Sequence, residues 1–137
     1  MKITLNPNAK DAATRDALVA EGGFGKYYTD HMVMCEWSEK DGWGEPHLMP
    51  YGPISLDPAT AVFHYGQEIF EGMKAYRQPD GSISLFRPTA NAKRFINSAK
   101  RLALPEMPVE IFMETVEALV AQDGGWVPNK VGESLYI

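Results

Sequence analysis

The hydrophobic pattern of the chain changes period on either side of a central turn. Two short apolar runs, over residues 70–76 and 83–86, flank the sequence Gln78-Pro79-Asp80-Gly81. The second run alternates polar and apolar side chains, as a half-buried strand does. Proline presets one backbone angle of a tight turn, and Gly81 can adopt the positive φ that other residues resist. The pattern therefore predicts a β-hairpin over residues 70–86.

Helical spacing begins directly after this hairpin. Apolar side chains recur every three or four residues from Ala92 to Leu102, which predicts a helix that starts near Thr89 to Asn91 and is capped by one of these two side chains. Arg94 would then lie near the helix start, where free N–H groups and the helix dipole attract an anion such as a phosphate. An ordinary solvated arginine is the alternative that the spacing leaves open.

The remaining sequence predicts elements of the same two kinds. Residues 10–20 and 109–122 have helical spacing and end at glycine pairs. Residues 31–37 and 47–51 are rich in strand-forming side chains and predict a second hairpin with a longer polar loop. Together the elements predict one α+β domain, in which a small antiparallel sheet with hairpins packs against two or more helices.

The last stretch, residues 133–137, has the pattern of a strand and stops without a turn residue or a polar tail. We therefore expect the chain to be a piece of a longer protein, with neighbours for this strand in the missing part.

Composition narrows the functional classes. Thirteen basic and eighteen acidic residues leave a net charge of -5, with no cluster of like charge, so nucleic acid is an unfavourable partner. No apolar run approaches the roughly 18 residues of a membrane span, and the N-terminal residues lack the pattern of a secretory signal, so we expect a cytoplasmic protein. One cysteine and three scattered histidines predict no metal site, and we expect each histidine to be a hydrogen-bonded structural residue.

Short catalytic motifs such as a Gly-rich phosphate loop or a zinc-binding H-E-x-x-H sequence do not occur in the chain. What does occur is an ordered series of separate blocks: Phe24-Gly25-Lys26, Thr29-Asp30-His31-Met32, His64-Tyr65, Phe70-Glu71-Gly72-Met73-Lys74-Ala75, Leu85-Phe86-Arg87-Pro88, Trp126-Val127-Pro128 and Ser134-Leu135-Tyr136. In this order, from about residue 24 to residue 137, the blocks closely resemble the branched-chain amino acid aminotransferases.

The resemblance implies a fold-type IV pyridoxal phosphate enzyme that transfers the amino group of leucine, isoleucine or valine to 2-oxoglutarate. Residues 1–137 would be its amino-terminal small domain, and the larger carboxy-terminal domain that holds most of the cofactor would be absent. The lysine that forms the Schiff base in this family lies beyond residue 137, so the chain by itself is expected to be inactive. The family also implies a homodimer.

The resemblance assigns roles to five residues. Arg94 corresponds to the arginine that binds the cofactor phosphate. Phe24, Tyr65, Phe70 and Tyr136 correspond to aromatic residues that line the pocket for the substrate side chain. Ordinary core packing is the alternative for these four side chains.

Two kinds of rival function stay open. Within the same fold, the chain can belong to a D-amino acid aminotransferase or an aminodeoxychorismate lyase, although the aromatic blocks argue against both. Outside it, the chain can be a non-catalytic domain that associates with itself through the Tyr136 strand.

Overall fold

Four α-helices and eight short β-strands make up the regular structure of residues 1–137 in the computed structural model. The strands are β1 (Lys2–Ile3), β2 (His31–Met34), β3 (Trp37–Ser38), β4 (Gly42–Trp43), β5 (His47–Pro50), β6 (Lys74–Arg77), β7 (Ile83–Leu85) and β8 (Leu135–Tyr136). The helices are α1 (Ala12–Glu21), α2 (Ala61–Tyr65), α3 (Pro88–Arg101) and α4 (Val109–Gln122), and a short 3-10 helix over Gly124–Trp126 follows α4. The predicted α+β fold class is confirmed.

The central hairpin forms as the sequence predicts. Strands β6 and β7 pair antiparallel, with Ala75 opposite Leu85, and Gly81 turns the chain with a φ of 85°. Strand β8 adds to the other edge of β6, so the sheet has the order β7-β6-β8. The first strand is shorter than predicted, because residues 70–73 approach it as a loop that pairs only at Met73.

The second predicted hairpin is also present. Strand β2 pairs antiparallel with β5, and β1 joins the far edge of β5 in parallel. The connecting loop contains the two-stranded ribbon β3–β4, which explains why it is longer and more polar than a tight turn.

Helix α3 starts differently from the prediction. Pro88 is its first residue, Arg87 precedes it in the left-handed region with φ 51°, and no side chain caps it. The prediction that Thr89 or Asn91 supplies the cap is therefore wrong. Arg94 is the seventh residue of the helix, beyond the first turn in which free N–H groups point at a ligand.

The main apolar core lies between α3, α4 and the β7-β6-β8 sheet. Its buried members are Met73, Ala92, Phe112 and Val116. The rings of Phe95 and Phe112 lie 5.6 Å apart where the two helices pack together. The same packing places the outward face of α3 beside the loop that leads into β6.

A buried polar cluster holds the other end of the domain together. Asp123 accepts hydrogen bonds from the His31 backbone N–H at 2.9 Å and from the ring Nδ1 at 2.7 Å. The Asn6 N–H donates to His31 Nε2 at 2.9 Å, so the ring proton belongs on Nδ1. His47 and His64 are hydrogen-bonded as well, to Thr4 and to the Pro58 carbonyl. All three histidines are thus hydrogen-bonded, as the sequence analysis expects.

Asp30 is the second acid of this cluster. Burial by itself would raise the pKa of Asp30, but hydrogen bonds from the backbone and ammonium groups of Lys10 and from the Trp126 indole outweigh it and hold the pKa below its usual value.

None of the helices combines the length and the apolar composition that a membrane crossing requires.

Candidate functional site

The side chain of Arg94 forms a two-point ion pair with Glu71, 23 residues earlier in the chain. Arg94 Nε donates to Glu71 Oε2 at 2.7 Å, and Arg94 Nη2 donates to Oε1. Glu71 Oε1 also accepts from the Gly72 N–H at 2.9 Å and from Asn91 Nδ2 at 3.3 Å. The Glu71 side chain is only 8% exposed, whereas that of Arg94 is 66% exposed. A buried carboxylate thus orients a guanidinium that faces solvent.

The charges of this pair stabilise each other. The hydrogen bond from Arg94 lowers the pKa of Glu71 and outweighs the burial that would raise it. The same bond raises the pKa of Arg94. Glu71 is therefore ionised near neutral pH, and Arg94 is held in one orientation by a planar, two-point contact. The sequence predicts Arg94 but not its partner, because no regular spacing connects a loop residue with a helix residue so far along the chain.

Arg94 borders two surface clefts. The larger cleft, of about 810 Å³, lies between α3 and the loop after α2 and is lined by Gly66, Glu68, Ile69, Phe70, Arg94, Asn97, Ser98, Arg101 and Leu102. The smaller cleft, of about 340 Å³, is lined by Gly72, Met73, Lys74, Tyr76, Phe86, Arg87, Ala90, Asn91, Arg94 and Tyr136. The larger cleft therefore combines one aromatic side chain with two cationic ones, and the smaller cleft combines three aromatic side chains with three cationic ones.

Arg94 fits the task of holding a phosphate group. A guanidinium has five N–H donors, and Glu71 uses two of them. The remaining donors lie on a side chain that is open to solvent, and further cations face the same clefts. The site can thus hold an anion without giving up the contact that orients Arg94.

The four predicted aromatic residues lie on the surface. Phe24 and Tyr65 are each 85% exposed, Phe70 is 82% exposed and Tyr136 is 46% exposed. Core packing within residues 1–137 is therefore excluded as the reason for these side chains. They come from four separate places: the loop before β2, the end of α2, the loop before β6, and β8.

The structure brings some of these residues together and leaves one apart. The rings of Phe24 and Tyr136 meet edge to face, with centroids 5.1 Å apart and planes at 69°. Phe70 shares the larger cleft with Arg94, and Tyr136 shares the smaller cleft with it. Tyr65 lines neither cleft.

Metal-binding side chains do not cluster anywhere in residues 1–137, since no group of three His, Cys, Asp or Glu residues converges. Cys35 is partly buried, and burial raises the pKa of its thiol. Its Sγ lies 3.4 Å from the Gly44 carbonyl oxygen. A partly buried thiol with a raised pKa differs from a reactive cysteine. Cys35 also belongs to no group of converging metal ligands.

Comparison with known proteins identifies the family. No protein-family model matches the chain, but individual proteins match it over almost all of its length. A probable branched-chain-amino-acid aminotransferase of Streptomyces coelicolor is 54% identical over 98% of the chain. The branched-chain-amino-acid aminotransferase of Mycolicibacterium smegmatis is also 54% identical over 98% of it. The chain belongs to the branched-chain amino acid aminotransferase family. The mitochondrial branched-chain-amino-acid aminotransferase of Saccharomyces cerevisiae is 47% identical over all of it.

The branched-chain aminotransferase family that the sequence blocks predict is thus confirmed. The chain spans little more than a third of the length of these relatives, between 34% and 38% of each.

The five residues to which the family resemblance assigns roles all lie on the surface of residues 1–137. The structure adds two residues to which the resemblance assigns no role. These are Glu71, which orients Arg94, and Gly72, against which the Tyr136 ring lies.

Proposed function

We propose that residues 1–137 are the amino-terminal small domain of a pyridoxal phosphate-dependent branched-chain aminotransferase. The intact enzyme transfers the amino group of leucine, isoleucine or valine to 2-oxoglutarate, in the cytoplasm and as a homodimer. The observation that carries this proposal is the exposure of Phe24, Tyr65, Phe70 and Tyr136 in a domain that has a separate apolar core. Contiguous exposed apolar surface is characteristic of binding sites, and among these side chains the rings of Phe24 and Tyr136 are in direct contact.

The aromatic side chains suit a branched aliphatic substrate. An apolar side chain gains free energy by leaving water, at about 25 cal/mol for each Å² of apolar surface that is buried. Rigid rings give the pocket a defined shape, and the edge-to-face contact of Phe24 with Tyr136 fixes two of them relative to each other. Tyr65 and Tyr136 also carry hydroxyl groups that can orient polar groups of the substrate.

Arg94 is the residue of this chain that would hold the cofactor phosphate, and Glu71 would keep its guanidinium in place. When bound, pyridoxal phosphate supplies an electron sink for the bonds around the amino acid α-carbon. The lysine that moves the proton in this family is not among residues 1–137, so this chain alone should not transaminate. Its own contribution is to bind, to orient and to exclude water.

A substrate panel on the intact enzyme tests the proposed reaction. We expect 2-oxoglutarate-dependent turnover of L-leucine, L-isoleucine and L-valine, and little turnover of D-alanine or aminodeoxychorismate. Preference for D-alanine would indicate a D-amino acid aminotransferase, and pyruvate release from aminodeoxychorismate would indicate a lyase. Self-association of the intact gene product without any of these activities would favour the non-catalytic alternative.

Replacement of Arg94 by alanine tests the phosphate contact in the intact enzyme. Charge-assisted hydrogen bonds to a phosphate are strong, so Arg94→Ala should raise the cofactor dissociation constant by about 10-fold or more. The neighbouring exposed Lys93 provides the matched control, since Lys93→Ala removes a cation that lines neither cleft. Equal cofactor affinity in the two variants, measured by fluorescence titration, would refute the role of Arg94.

A further inference from the structure

Gly72 lies in direct contact with the ring of Tyr136. A β-carbon added at position 72 would lie 2.9 Å from Tyr136 Cζ and 3.0 Å from Cε2, and it would lie closer still to the hydroxyl oxygen. Real β-carbons essentially never approach other atoms to less than 3.0 Å. Gly72 does not have a positive φ, so its backbone conformation does not require glycine. The requirement comes from the closeness of the aromatic ring.

The Tyr136 backbone cannot retreat from an added side chain without breaking the sheet. Tyr136 lies opposite Lys74 in the β6–β8 pair. The backbone groups of Met73 and Ile137 exchange two hydrogen bonds, each of 2.9 Å, next to this position. An added methyl group would therefore displace the Tyr136 ring rather than the strand.

The displaced ring would meet a second aromatic side chain. Phe24 packs edge to face on Tyr136 with centroids 5.1 Å apart, and it is anchored by little else, since it is 85% exposed. Movement of the Tyr136 ring would thus be transmitted to Phe24. The position of both rings depends on the absence of a side chain at residue 72.

We propose that Gly72 is a specificity-determining positioning residue, which sets the location of the Tyr136 ring and, through it, of Phe24 at the substrate pocket. This inference rests on the proposed function, in which both rings line the pocket for the branched side chain. Gly72 itself contacts no substrate. Its effect is steric and acts through Tyr136.

The test uses the intact enzyme with four variants. Gly72→Ala introduces the methyl group, and Gly52→Ala is the matched control, because Gly52 has an ordinary φ and its added β-carbon would meet nothing within 4 Å. Tyr136→Leu removes the ring with which the methyl group collides. The double variant Gly72→Ala/Tyr136→Leu reveals whether the effect requires that ring. Steady-state kinetics with leucine and valine give kcat and KM, and visible absorbance gives cofactor occupancy.

Misplacement of a substrate-positioning group by about 1 Å can cost about 100-fold in rate. We expect Gly72→Ala to lower kcat/KM for leucine by about 10- to 100-fold, mainly through KM. The ratio of kcat/KM for leucine to that for valine should also change by about 3-fold or more. A general loss of folded enzyme would lower kcat/KM equally for leucine and for valine, and it would leave this ratio unchanged. In the Tyr136→Leu background, Gly72→Ala should change kcat/KM by less than about 3-fold.

Two results separate this inference from the proposed function. If Tyr136→Leu raises KM for leucine but Gly72→Ala behaves like Gly52→Ala, the inference is overturned and the proposed function stands. If Tyr136→Leu leaves KM and specificity unchanged, the aromatic wall itself is refuted, and the inference is overturned with it. Should Gly72→Ala fail to fold, the Tyr136→Leu background must restore folding, and failure to do so overturns the steric explanation.

Discussion

Phe70 and Phe112 offer a comparison between a surface aromatic side chain and a core one of the same type. Phe70 is 82% exposed, whereas Phe112 is 9% exposed and belongs to the main apolar core. Complete burial of a phenylalanine side chain contributes about 1.5 to 3 kcal/mol. Since about a fifth of Phe70 is buried, Phe70→Ala should cost only about 0.3 to 0.5 kcal/mol of unfolding free energy. Phe112→Ala should cost about 3 to 5 kcal/mol, because it leaves a cavity.

Urea unfolding of the 137-residue chain, followed by far-ultraviolet circular dichroism, measures both free energies. In the intact enzyme, Phe70→Ala should lower kcat/KM for leucine by about 10-fold or more, because apolar contact with the substrate is lost. The two assays together separate a binding role from a packing role. A loss of unfolding free energy above about 2 kcal/mol for Phe70→Ala, within the range of core deletions, would refute the reasoning. An unchanged kcat/KM for leucine in the Phe70→Ala variant would refute it as well.

Two further predictions concern the stability of the same chain. Asp123→Asn leaves one acceptor oxygen for the two N–H groups of His31. It should therefore lower the free energy of unfolding in urea by about 1 to 3 kcal/mol. A loss no larger than that of the exposed control variant Asp41→Asn would contradict this prediction. Folding lowers the pKa of Glu71 below its ordinary 4.5 and that of Asp30 below 3.8, so their stabilisation is complete above about pH 4.5 and is lost as the pH falls through the lower folded values. An unfolding free energy that increases as the pH is lowered from 5 to 3 would contradict this assignment.

Local sequence predicts the elements of this fold well where short-range physics decides them. The hairpin at Gly81 requires a residue that tolerates positive φ, and the turn forms at that position. The helix over residues 109–122 follows from the spacing of its apolar side chains, and the structure has the same bounds. The start of α3 is predicted less well, because Pro88 can begin a helix without a capping side chain.

The candidate site is predicted in part. The family blocks single out Arg94 and four aromatic residues, but the argument that Arg94 lies at a helix start is wrong, since it is the seventh residue of α3. What the structure shows at Arg94 is a guanidinium oriented by the buried carboxylate of Glu71. The contact joins a loop to a helix, and it exists only after α3 has packed against the sheet that follows this loop.

The sequence by itself determined the hairpins, the principal helices and the family, because turn chemistry, hydrophobic period and ordered blocks are properties of neighbouring or collinear residues. Only the tertiary structure decided which aromatic side chains face solvent, which acid orients Arg94 and why residue 72 is a glycine. Each of these depends on contacts between residues far apart in the chain, such as Gly72 and Tyr136. Such contacts have no fixed spacing, so local pattern cannot reveal them.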